Sequence, residues 1–367
     1  MSILSYLEQN APRTTRLVRH YWLTLAFLGG FATDVILLNR VDDVIDNLIL
    51  LFYVVLAISS FFCLYVGVAQ KAGEVWSDRL RAFSPLVMQY AFGGLLSGMV
   101  IFYSRSSDWW TSWPLLLLIG AAIFANETAR DRASRLIYNS ALLFTGLLLY
   151  LVLVVPVVTG VMGPLIFILS GLLAVAVMWI CIFVLRLIIP NYFALQEKLV
   201  IFTLASVYLV FNGLYFMNII PPIPLSLQHI DTYQSVTRLD SGDYRLRQED
   251  RTFFAPYYYK FNVFHPDQYG SVFCYTEIFA PARLQTDITH RWEWFDETSQ
   301  RWQQHAELSY GIQGGRATGY RGFTHINNYS DGRWRCSVVT ARGQVLGSTQ
   351  FIIDTSETAT DLEATIR

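Results

Sequence analysis

Long apolar stretches recur through the first 220 residues, and at Pro221-Pro222-Ile223-Pro224 they stop. A helix needs about 20 mainly apolar residues to cross the hydrocarbon core of a bilayer. That length predicts spans over 21–39, 47–69, 85–103, 109–125, 136–158, 164–188 and 199–219. Asp34 interrupts the first, and only residues 159–163 separate the fifth from the sixth, which predicts a tight hairpin. Past the prolines the period changes to two. Residues 271–279, 287–295, 303–312, 320–325, 333–341 and 345–353 read as strands, with turn signals such as Gly314-Gly315 and Asp331-Gly332 between them. Residues 238–247 read as a hairpin around Ser241-Gly242-Asp243, and Tyr257-Tyr258-Tyr259 leads into a further strand. The expected fold is an α-helical membrane bundle of about seven transmembrane helices followed by an antiparallel β-sandwich of immunoglobulin-like size.

This pattern divides the chain into a cytoplasmic N-terminus (1–20), a transmembrane domain (21–220), a proline-rich hinge and lead-in (221–269), the β-sandwich (270–354) and a frayed tail (355–367). Composition agrees: mean hydropathy is +0.37, with 53% hydrophobic and 15% charged residues. The apolar run after Arg19 is too long for a cleaved signal peptide and reads as a signal anchor. A net charge of −1 with no basic patch argues against a nucleic-acid partner.

Lysines and arginines in short loops set orientation. Arg13, Arg16, Arg19, Lys71, Arg79, Arg81, Arg130, Arg132, Arg135, Arg186 and Lys198 fall on one side, and only Arg40 and Arg105 on the other. The N-terminus is therefore expected in the cytoplasm. An odd number of spans then puts the C-terminal domain outside, in the periplasm of a cell with an inner membrane. Cys63 and Cys181 read as packing residues of spans. Cys274 and Cys336 fall in predicted strands whose alternation points both inward, which fits either a disulfide or two buried thiols.

Several stretches resemble a known family. They are Phe31-Ala32-Thr33-Asp34, Arg40-Val41-Asp42-Asp43 with Asp46-Asn47, Phe92-Gly93-Gly94 with Ser97, Phe102-Tyr103-Ser104, Asn126-Glu127 and the run from Ile220 to Ser226. In the C-terminal part they are His290-Arg291-Trp292, Gly314-Gly315-Arg316, Gly319-Tyr320-Arg321-Gly322 and Gly332-Arg333-Trp334-Arg335. The chain resembles bacterial polytopic membrane proteins whose C-terminal part is called domain of unknown function 2914. The resemblance implies the fold and topology already read, and no activity.

Five groups of residues are candidate sites. Asp34, Arg40, Asp42, Asp43 and Asp46 form an acidic cluster at the outer mouth of the bundle. Asp34 lies roughly 7–8 Å inside it at helical rise. An ionisable group at that depth reads as functional, or as a hydrogen-bonded element of the bundle; the loop aspartates read as partnered by Arg40 or by a divalent cation, or as a solvated loop. Gly93, Gly94, Ser97 and Gly98 suit close helix packing, and a groove would need Gln89, Asn139 and Asn212 to converge on it. Asn126 and Glu127 end a span, with Glu127 spaced to pair with Arg130. The loop from Gln313 to Phe323 lacks the lysine and the following helix of a phosphate loop. Its Arg316, Tyr320, Arg321 and Phe323 suit a periplasmic protein or glycan partner, and its glycines equally suit a wide turn. His290, Trp292, Trp294 and His305 suggest a core or aromatic platform rather than a metal site, since no third ligand is spaced to match. No cofactor, metal or catalytic residue is expected. The leading reading is a membrane anchor, in contact with lipid, presenting a β-domain that binds an envelope component or partner protein. The alternative is a transporter or lipid-handling enzyme working at Asp34 and Arg40.

Overall fold

The computed structural model describes residues 31–32, 34–38, 42–69, 75–106, 109–128, 135–249, 262–267, 270–315, 319–359 and 362–367. It divides into a helical unit (Met1–Phe102, Pro114–Val155 and Gly163–Phe216) and a strand-rich unit (Tyr103–Trp113, Pro156–Met162 and Met217–Arg367).

After a helical turn at 34–37, the helices are α1 (Val44–Ala69), α2 (Val75–Arg105), α3 (Trp109–Thr128), α4 (Leu136–Thr159), α5 (Pro164–Ile188) and α6 (Pro190–Phe216). Among the described residues, five stretches are long and apolar enough to cross a membrane: Val44–Ala69, Phe83–Arg105, Leu136–Thr159, Pro164–Ile188 and Pro190–Phe216. Trp113–Ala125 is apolar but shorter. Most of the first predicted span, and Arg40, lie outside the described residues.

Inside the helical unit, Leu50, Phe61 and Tyr65 of α1, Phe92 and Leu96 of α2 and Phe144 of α4 are fully buried. The outward faces are apolar as well: Phe52 of α1, Leu165, Ile180 and Phe183 of α5, and Leu195, Phe202 and Leu209 of α6 are all exposed. The residues between α4 and α5 form the expected short connection, with Pro164 at the first position of α5.

The last helix departs from expectation. It begins at Pro190 rather than at 199, because Pro190 starts a helix well and Asn191, Gln196, Glu197 and Lys198 continue the helix although they interrupt the apolar run. Arg186 and Lys198 are consequently helical rather than loop residues, and Arg186 forms an ion pair with Glu197 of α6.

The strand-rich unit holds β1 (Ser226–Tyr233), β2 (Ser235–Arg238), β3 (Tyr244–Glu249), β4 (Asn262–Phe264), β5 (Val272–Phe279), β6 (Gln285–Asp296), β7 (Arg301–Gln313), β8 (Tyr320–Ile326), β9 (Gly332–Thr340), β10 (Val345–Ile353) and β11 (Leu362–Ile366). They form three sheets, ordered β1-β5-β8, β4-β10-β9-β6-β7 and β11-β3-β2. The predicted strands from 271 to 353 are present within two residues, as is the hairpin around Ser241–Asp243 (β2 and β3). Tyr257-Tyr258-Tyr259 lies outside the described residues.

Three expectations change. The lead-in is not a bare hinge: β1 pairs with β5 from Ser226 to Tyr233, and β4 is the end strand of the five-stranded sheet. The sheets are not wholly antiparallel, since β4 runs parallel to β10. The tail is not free beyond 361, because β11 satisfies the edge of β3 through pairs from Leu362↔Glu249 to Ile366↔Arg245. Each follows from the need of a strand edge for hydrogen-bond partners.

Two cores are shared by the β1-β5-β8 sheet and the five-stranded sheet. One gathers Val272, Cys274, Trp292, Ile326, Trp334, Cys336 and Phe351, and the other Leu225, Ile278, Ile288, Val338 and Leu346. Alternation produces them: in β6 Ile288, His290 and Trp292 are buried, while Thr289 and Arg291 are only half-buried.

Candidate functional site

In the helical unit the polar residues single out Asp34. Its side chain is buried, 3% exposed, and accepts a hydrogen bond from the hydroxyl of Tyr53 on α1 at 3.2 Å. Its other oxygen, Oδ2, lies within hydrogen-bond reach of Ser97 Oγ on α2. The same Ser97 hydroxyl is 3.0 Å from the carbonyl of Gly94. Gly94 makes the arrangement feasible: a Cβ there would stand 2.5 Å from Cζ of Tyr53. The ring of Tyr90 sits edge-on to Tyr53, 5.8 Å between centroids.

The loop aspartates do something different. Asp43 Oδ1 accepts the backbone N–H of Ile45 at 2.9 Å, capping α1, and Asp46 lies buried in the first turn of that helix. Carboxylates are favoured at both positions by the unpaired N–H groups and the dipole of a helix start. Asp42 precedes α1 in a turn, so Asp42 and Asp46 are not neighbours on a continuous helix. Asn139 and Asn212 make hydrogen bonds elsewhere in the helical unit. Asn139 donates to Tyr65 at 3.0 Å, and Asn212 donates to the Tyr208 carbonyl of its own helix at 2.8 Å. Asn126 and Glu127 fall in the last turn of α3, and Arg130 lies outside the described residues.

In the strand-rich unit, Cys274 of β5 and Cys336 of β9 are bonded, with sulfurs 2.15 Å apart, so the bond joins two sheets. Trp292 stands opposite Cys336 across β6 and β9 in the same core. Beside them His290 is fully buried within a polar network. Its Nδ1 is 2.9 Å from Thr324 Oγ1, and its Nε2 is 2.9 Å from the Tyr310 hydroxyl and 3.1 Å from Thr276 Oγ1. Trp292 Nε1 donates to Thr324 Oγ1 at 3.0 Å. Burial away from water pushes the His290 imidazole down to about 3 and raises the Tyr310 phenol. His290 is a neutral core residue.

Cys274, His290 and Cys336 bring one potential ligand atom each within 4.8 Å of one another, a grouping the linear spacing did not reveal. The two sulfurs are bonded to each other and both imidazole nitrogens are hydrogen-bonded, so these residues do not present a ready metal site. His305 lies apart from them, edge-on to Trp334 at 5.1 Å.

The predicted contact loop is well anchored at its end. Gly315 and Gly319 take φ of 109° and 88°, where glycine is favoured, as the turn reading requires. Tyr320 stacks on Tyr310 with centroids 6.4 Å apart. Arg321 donates to Asp243 Oδ1 at 2.8 Å, and that carboxylate holds the guanidinium above its ordinary range. Phe323 packs between Tyr244 and Phe273, at 5.9 Å from each. All three remain partly exposed. Arg316 lies outside the described residues. β7 leads into this loop and, among the described residues, is the end strand of its sheet, with nine of its thirteen residues exposed.

A helical unit rich in long apolar helices, followed by a sheet-rich unit with an inter-sheet disulfide, is the class this chain defines. Residues 285–353, which run from β6 through β10, match the family model described as "Protein of unknown function (DUF2914)". The match includes His290 and Cys336 but leaves Cys274 outside. No curated protein matches the chain. Among solved structures, an alkylpurine DNA glycosylase AlkC of Pseudomonas fluorescens, bound to DNA containing an abasic site analog, aligns over 81% of this chain and 76% of its own. It is 12% identical with a TM-score of 0.17, a likeness too slight to bear on fold or function.

Proposed function

We propose that the chain is a bacterial inner-membrane protein. On this reading about seven helices anchor a β-sandwich in the periplasm, where it binds an envelope component or a partner protein. Three facts support the placement. The helices are apolar on their outward faces, which suits lipid rather than water. Basic residues crowd one set of loops and helix ends. The Cys274–Cys336 bond is of a kind that persists in oxidising compartments, whereas Cys63 and Cys181 of the helices are not disulfide-bonded.

The binding role rests on β7. Among the described residues β7 is an end strand of thirteen residues, nine of them exposed, and it would offer its edge and a polar face to a partner. Tyr320, Arg321 and Phe323, which follow β7 in sequence, would flank that surface. Photocrosslinking probes at Gln303, Leu308, Ala317, Tyr320 and Phe323 in intact cells test the role. A discrete protein or glycan adduct is expected from at least one position, and none from any of them would remove the surface.

A second reading draws on the buried carboxylate of Asp34. In it the helices transport a solute or act on lipid at Asp34 and Arg40, and the β-unit is accessory. It expects Asp34→Asn to lose activity at normal expression, and a fully complementing Asp34→Asn strain would end it.

A further inference from the structure

Proton counting at Ser97 leads to one more site. A serine hydroxyl carries a single hydrogen. Ser97 Oγ faces two acceptors, the Gly94 carbonyl at 3.0 Å and Asp34 Oδ2, and as an ionised carboxylate Asp34 could supply no hydrogen of its own. A single hydrogen would then have to be shared between both acceptors. A neutral carboxylic acid resolves the shortfall: Asp34 donates from Oδ2 to Ser97, Ser97 donates to Gly94, and Tyr53 donates to Asp34 Oδ1. Every oxygen then has a sensible partner. The burial points the same way. Asp34 is 3% exposed, and among the described residues no ion pair reaches it. An isolated carboxylate charge in such surroundings is costly, and a bound proton removes it. Among the described residues, the other titratable groups facing the site are phenols, Tyr53 and behind it Tyr90.

We infer that Asp34, Ser97 and Tyr53 form a proton-binding site in the helical unit, with Asp34 as the group that holds the proton. The helices would then be more than an anchor. The inference concerns what occupies the site, and it holds whether or not they move a substrate.

The test is infrared difference spectroscopy on the full-length protein in lipid vesicles. At neutral pH a carboxylic-acid carbonyl band should be present, should shift in deuterated water and should be missing from Asp34→Asn. Because Asp34→Asn alters the site itself, Ser97→Ala and Tyr53→Phe provide the second reading. Each should keep the band but move its frequency, since each removes a hydrogen-bond partner of the acid. The proposal is overturned if wild type and Asp34→Asn give the same carbonyl region at neutral pH, or if the Ser97 and Tyr53 variants leave the Asp34 band unmoved. Sodium titrated against choline at constant ionic strength separates a proton from a metal cation. No change is expected, and a band erased by sodium alone would make this a sodium site and overturn the proton assignment.

Discussion

The phenol ring of Tyr310 lies directly over Gly322, where an added Cβ would stand 2.5 Å from its Cε2. This close approach lets a β7 side chain reach across to β8 and bond the buried His290 at 2.9 Å. Gly322→Ala forces the ring aside in a filled core, and overpacking of this kind costs about 1–3 kcal/mol. The thermal midpoint of the β-unit should fall accordingly, and an unchanged midpoint would show that the ring yields freely.

Acid should weaken the β-unit through His290. Burial lowers its folded value to about 3, whereas an unfolded histidine titrates near 6.5. The unfolded chain therefore binds the extra proton first. The contribution of His290 is intact above about pH 6.5 and is lost as pH falls toward 3, with a slope of at most about 1.4 kcal/mol per pH unit. Denaturation midpoints of wild type and His290→Gln, compared at neutral and mildly acidic pH, should converge as the pH drops. Parallel curves would mean that His290 titrates in the fold as it does in the unfolded chain.

Loss of the inter-sheet bond should cost more. It spans 62 residues of sequence and ties β5 to β9 beside Trp292 and Trp334. Removing such a bond typically costs about 2–5 kcal/mol. Cys274→Ala with Cys336→Ala should match the effect of reductant on the wild type in a denaturant titration. A double variant as stable as oxidised wild type would make the bond incidental.

Arg321 is a cleaner probe of the surface than of the fold. Its partner Asp243 is 42% exposed, so solvent screens the pair and Arg321→Ala should cost less than about 1 kcal/mol. A loss of crosslinked partner in that variant, at an unchanged unfolding midpoint, would therefore report on binding. A large loss of stability would assign Arg321 to the scaffold instead.

Alternation made the strands from β5 to β10 legible, and the bounds of β10 were those read from its residues, because buried apolar residues such as Leu346, Phe351 and Ile353 mark its inward face. It failed for β1, where only Ser226, Thr232 and Tyr233 are buried, and for β11, which has no buried residue. Those strands are placed by backbone pairing with β5 and β3, which leaves no hydrophobic signature. The Asp34 site was half legible. Asp34 stood out as a charge in an apolar run, and Gly94 and Ser97 as small residues of a packing helix. Tyr53 did not, because a tyrosine in an apolar run looks like packing. Likewise Thr276, Tyr310 and Thr324 read as ordinary strand residues until the fold closed them around His290.

Thiol status in intact cells tests the central claim, a β-unit held outside the cytoplasm by its helices. In a Cys63→Ser, Cys181→Ser background, cells are quenched in acid, and the denatured protein is alkylated with a heavy maleimide before or after reduction. The account predicts no adduct before reduction and one on each of Cys274 and Cys336 after it. Adducts on both without reductant would put the unit in a reducing compartment and contradict the account.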